Sequence, residues 1–163
     1  MMSKTEIENR LSKAAPMREE LKRPLSILRQ DALPFHPLIL VFATGCVSEE
    51  DCVPMRRIPM PKVGLPFDLT LARTLTEAFA ENPSIHDGAI IFARQDEGSI
   101  YYLSAWSMRI VSRHVPNFSN PNLGSAHNSA LSLSIAKNID ICCIVYPKRI
   151  AFFQCGESYL SED

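Results

Sequence analysis

Unbroken apolar runs alternate along the chain with apolar stripes spaced at the helix period. The run Leu38 to Thr44 ends at Gly45 and predicts a strand buried on both faces. Gly88 to Ala93 predicts a second buried strand, followed by the turn signal Asp96-Glu97-Gly98. Between them, Leu71, Leu75, Ala78 and Phe79 recur at helical spacing, so Phe67 to Glu81 predicts a helix capped by Asp68 or Thr70 and stopped by Asn82-Pro83. Ser99 to Val111, rich in β-branched and aromatic residues, predicts a strand paired with the second one.

A polar, proline-containing loop over residues 112–124 leads into a helix expected from Ser125 to Lys137, with Ser125 as cap and Asn138 as stop. Ile139 to Tyr146 and Arg149 to Cys155 predict two closing strands around Pro147-Lys148. Residues 46–66, with four prolines, are expected to be irregular. The first thirty residues are helix-like and polar. Ser3 and Glu6 fit a capping box, Pro16 and Pro24 are expected to break the stretch, and Leu11, Leu21, Leu25 and Leu28 form its apolar positions. The fold class is therefore α/β, a mixed β-sheet flanked by helices. A helical appendage over residues 1–32 is expected to precede one domain over residues 33–163.

Composition changes this picture little, but it narrows the function. The 46% hydrophobic content supports a packed globule, and the net charge of -1 supplies no field for a nucleic-acid polymer or an anionic membrane. A small ligand or a protein partner is expected instead. No apolar run spans a bilayer and the amino terminus has no secretory pattern, so the expected location is the cytoplasm. Five cysteines without a C-x-x-C motif, and His36, His86, His114 and His127 without ligand spacing, predict neither a disulfide framework nor a zinc site. Trp106, Tyr101 and Tyr102 could stack a base, but alternating strand aromatics more often serve a core.

Two segments carry candidate chemistry. Asp87-Gly88-Ala89 places a carboxylate at the entry to a buried strand, and the glycine would permit close approach of a ligand to the backbone. Gly124, Ser125, Ala126, His127 and Asn128 open a helix after a loop, where free N–H groups and the helix dipole favour an anion. An Asp-Gly turn and an ordinary capped helix account for the same residues without a ligand.

The two segments in this order, with a strand and a loop between them, resemble the diadenylate cyclase (DAC) domain of the DisA-type family. The resemblance runs from about Leu38 to Leu160. The family's Asp-Gly-Ala motif is intact at Asp87, Gly88 and Ala89. Its Gly-Thr-Arg-His-Arg motif is present as Gly124, Ser125, Ala126, His127 and Asn128, with both arginines gone. In that family two ATP molecules are condensed to cyclic di-AMP. The aspartate serves the attacking ribose hydroxyl and a metal ion, and the arginines hold the phosphates.

The resemblance thus implies a catalytically degenerate domain, a pseudoenzyme. It would act as a sensor that binds a nucleotide or a cyclic (di)nucleotide through Asp87, Gly88, Ala89, Gly124, Ser125, His127 and Asn128, with no required cofactor. One alternative is an active diadenylate cyclase, with Asp87 catalytic, Mg or Mn bound there, and Arg109 or Arg113, helped by His114, restoring the lost charge. Another is a structural domain with a dead pocket, forming a homo-oligomer or binding a protein partner through residues 1–30.

Overall fold

The computed structural model describes residues 3–12, 14–30, 33–34, 37–116 and 121–160. His36 lies outside them. Two amino-terminal helices, α1 (Lys4–Ser12) and α2 (Ala14–Gln30), precede β1 (Leu38–Thr44) and β2 (Cys52–Pro54). Then follow α3 (Leu71–Glu81), β3 (Ala89–Arg94), β4 (Tyr102–Ile110), α4 (Ser125–Leu133), β5 (Ile139–Val145), β6 (Ile150–Gln154) and β7 (Glu157–Leu160). The strands form one mixed sheet in the order β2-β4-β3-β1-β5-β6-β7. β1 and β3 run parallel, and every other described neighbour pair is antiparallel.

Strand alternation sends successive side chains to opposite faces, and both faces of the central strands are covered. Leu38, Leu40 and Phe42 of β1 pack with Leu71, Leu75 and Phe79 of α3. Val41 and Ala43 pack on the other side with Ala130, Leu131 and Leu133 of α4. Covering on both sides is what the unbroken apolar runs required.

The amino-terminal segment departs from the expected appendage. Its helices are present, and Ser3 and Glu6 form the reciprocal capping bonds, at 2.7 and 3.2 Å. Leu21, Leu25 and Leu28, however, are fully buried in the same cluster as α3 and β1. Their spacing puts them on one face of α2, and that face is docked rather than standing off the sheet. Pro24 does not break the helix. α2 runs through it, and Pro16 falls in the first turn, where a missing N–H is tolerated. The side chain of Leu11 lies outside the described ones.

Smaller differences concern helix ends and short strands. α4 is capped by Gly124 at φ 90° rather than by Ser125, and it ends at Leu133. Thr70 caps α3 without a side-chain bond, while Asp68 accepts from the Thr70 backbone N–H. β2 and β7 were not anticipated. Both are edge strands too short to carry a readable alternation.

Candidate functional site

Asp87 sits where the 3-10 turn Pro83–His86 enters β3. Asn82 starts that turn by accepting from the Ser84 backbone N–H at 3.1 Å. Gly88 follows with φ 89°. A Cβ there would lie 2.6 Å from Met55 Cε and 2.8 Å from the Met108 carbonyl oxygen. The close approach that this glycine permits is therefore made by β4 and the chain after β2, and no ligand is needed to explain it.

The Asp87 carboxylate is already engaged. Arg57 donates from Nη2 to Asp87 Oδ2 at 3.0 Å and from Nε to Ser107 Oγ at 3.1 Å. Ser107 Oγ in turn donates to the Asp87 carbonyl oxygen at 2.6 Å. Ser107 is fully buried in β4 with φ 52°, the left-handed region that non-glycine residues avoid. Ser107 also accepts, through its carbonyl oxygen, the backbone N–H of Met55 at 3.1 Å. Arg57, which holds the Asp87 carboxylate, is the residue that the sequence pattern missed.

At the other segment, the Gly124 carbonyl accepts the Asn128 N–H at 3.1 Å, closing the first turn of α4. Space beside Gly124 is open, and Ser125 is exposed. His127 turns sideways to make an edge contact with Phe153 of β6, ring centroids 4.8 Å apart. Burial, and secondarily the charge of Arg149, hold its imidazole below the ordinary histidine pKa. Asn128 Oδ1 is buried and makes no hydrogen bond among the described residues. Ala126 and Met108 pack on the same apolar cluster, which links the start of α4 to the strand beside Asp87.

The arginines expected to restore charge stand elsewhere. Arg109 projects from β4 in register with Val53 of β2. Arg113 and His114 line a cavity of about 540 Å³ with Glu49, Glu50 and Asp51, and His114 Nε2 lies 3.1 Å from Asp51 Oδ1. Neither arginine forms an ion pair with Asp87 among the described residues. A divalent metal at Asp87 fits poorly. Its carboxylate already faces a guanidinium, and no cluster of three histidine, cysteine, aspartate or glutamate side chains suited to a metal occurs among the described residues.

A second, roomier cavity of about 770 Å³ opens over β3 and β4, with Gly45, Val47, Ile91, Ala93, Ala105 and Met108 in its wall. Asp87 and the start of α4 do not line it, but Met108 does, and the carbonyl of Met108 lies against Gly88. At the carboxyl end of β3, Arg94 donates from Nε to Thr44 Oγ1 at 2.9 Å. Asp140 Oδ2 accepts from Thr44 at 2.6 Å and from the Tyr101 hydroxyl at 2.7 Å. Burial, reinforced by the Asp140 charge, pushes the Tyr101 phenol well above its usual range. This network is internal to the protein. Tyr101 and Trp106 are core residues rather than an exposed stacking platform.

No family model and no curated protein matches the sequence. Among solved structures, the chain is similar to a hypothetical membrane spanning protein from Bacillus cereus, with 14% identity and a TM-score of 0.56 over 92% of this chain and 63% of that one. The chain therefore spans less than two thirds of that relative. It is also similar to a double-cysteine mutant of DacA from Staphylococcus aureus, a diadenylate cyclase, with 19% identity and a TM-score of 0.55 over 91% and 90% of the two chains. At these identities the likeness shows the fold alone, and the fold is DAC-like. Among the described residues no helix is long and apolar enough to cross a membrane.

Proposed function

We propose that this chain is a DAC-like domain that binds a nucleotide or a cyclic (di)nucleotide as a sensor and does not cyclise it. The observation that carries this reading is the state of Asp87. The carboxylate that the resemblance assigns to the attacking hydroxyl and a metal is held by Arg57, while Ala126 and Asn128 stand where phosphate-holding arginines would be. Each lost charge-assisted bond is worth roughly 1.5–3 kcal/mol, so two of them would slow phosphoryl transfer by orders of magnitude. Binding is less demanding. Gly124 and Ser125 are exposed at the start of α4, with open space beside Gly124, and the Asn128 amide oxygen, unpartnered among the described residues, calls for a donor.

No added cofactor is needed on this view. The cytoplasm, where thiols stay reduced, suits five free cysteines. A protein partner at residues 1–30 would have to use outward faces, since Leu21, Leu25 and Leu28 are buried. Two assays on the purified chain are expected to agree. Incubation with ATP and magnesium or manganese yields no cyclic dinucleotide above background. A thermal-shift screen of mono-, tri- and cyclic dinucleotides finds a stabilising ligand, worth about 2.7 kcal/mol at 100 times its Kd. Turnover that Asp87→Asn abolishes would overturn the reading in favour of a cyclase. Absence of any nucleotide shift would leave a structural domain.

A further inference from the structure

We infer that Arg57 is the resident cation of this site. On the proposed nucleotide-binding reading, Arg57 does the work that a divalent metal would otherwise do, and it selects a phosphodiester, with one negative charge on each phosphate, over a polyphosphate chain. Three of its neighbours fix the guanidinium. Nε bonds Ser107, and Nη2 faces both Asp87 and Met55 Sδ, the latter at 3.8 Å. Those contacts use the N–H bonds of Nε and Nη2. The two N–H bonds of Nη1 have no partner among the described residues.

The arginine side chain is 23% exposed, so the group is held at the surface of the site rather than sealed within it. A guanidinium so fixed can offer its remaining donors to an oxygen anion with little further loss of rotamer freedom. The charge balance decides which anion. Asp87 neutralises Arg57, leaving a pair of no net charge. Such a site suits a phosphodiester, which carries one negative charge on each phosphate, and disfavours a triphosphate. It also holds its ligand without metal, because the only carboxylate oxygen in the network that bonds a cation is already bonded to Arg57.

The test is calorimetric titration of cyclic di-AMP and of ATP into the full chain, in EDTA and again with manganese. Wild type and the variants Arg57→Ala and Arg57→Lys are compared. Wild type is expected to bind cyclic di-AMP equally in both buffers and to prefer it to ATP. Arg57→Ala is expected to weaken that binding at least tenfold while keeping a cooperative melt. Arg57→Lys, with the charge but not the fork, is expected to fall between them. The inference is overturned if Arg57→Ala binds as tightly as wild type, or if wild-type binding appears only with manganese. If wild type binds no nucleotide in either buffer, the functional reading falls together with the inference. Binding that survives Arg57→Ala, by contrast, removes only the role given to Arg57.

Discussion

At the carboxyl end of β3, Arg94 and Asp140 are 6% and 17% exposed; at its amino end, Arg57 and Asp87 are 23% and 67% exposed. Both pairs join an arginine to an aspartate, yet their surroundings differ. Thr44, on the strand between Arg94 and Asp140, relays between them, and the guanidinium lies 4.5 Å from the centre of the Tyr101 ring. That pair is nearly buried and knits three strands together, although Arg94 also lines the larger cavity. The Arg57 pair leaves one nitrogen without a partner among the described residues and its carboxylate mostly in solvent. The lesson is that an ion pair is read by what remains unsatisfied around it, and an identical pair of residue types can be a clamp or a receptor.

The contrast breaks most severely if the closed pair is uncovered. A chain beginning at Leu33 loses Leu21, Leu25 and Leu28, which share a core cluster with Tyr101. Truncating one buried leucine costs about 2–5 kcal/mol, so losing three costs about as much as the whole stability of a typical domain. The expected outcome is loss of the cooperative melt by circular dichroism. A shortened chain that melts sharply near the wild-type temperature would refute the docking of α2.

Next in size is a matched pair of substitutions. Asp140→Ala strands a buried arginine and is expected to cost about 3–5 kcal/mol. Asp87→Ala removes the largely exposed half of its pair, whose arginine keeps its bond to Ser107 and some access to solvent, and is expected to cost less than about 1 kcal/mol. Chemical denaturation of both variants measures the gap directly, and equal losses would erase the distinction between clamp and receptor.

The smallest effect is expected from pH at the start of α4. The folded state holds His127 below its usual pKa of 6.5. The unfolded chain therefore takes up the proton first as the pH falls. The stability present above about pH 6.5 is then lost as the pH drops through the lower folded-state value. Wild type should weaken more than His127→Gln between about pH 7.5 and pH 5 in urea titrations. Parallel curves would show that the imidazole is not desolvated by Phe153 and its neighbours.

The parts legible in the sequence are those whose signal is local. The capping bonds of Ser3 and Glu6 lie within one turn, and the runs of β1 and β3 record burial on both faces without reference to any partner. The stripe of Leu21, Leu25 and Leu28 was equally visible, but a stripe shows only that a helix has an apolar face. It does not show which surface receives it. β2 and β7 are three and four residues long, below the length at which alternation can be told from chance. Arg57 was hidden for a different reason. It lies in an aperiodic, proline-rich stretch, and its partners Asp87 and Ser107 are 30 and 50 residues away. Asp87 and Gly88 stand out in the sequence as a carboxylate and a tight turn, but the approach of β4 to Gly88 is a tertiary contact that no local pattern records.

Ser107 sets backbone strain against side-chain bonding at a single position. Its left-handed backbone carries a strain of order 1–3 kcal/mol for any residue but glycine. Glycine there would relieve that strain but delete the hydroxyl on which Arg57 rests and that donates to the Asp87 carbonyl, a loss of comparable size. The strained backbone is thus retained by the two bonds that its side chain makes.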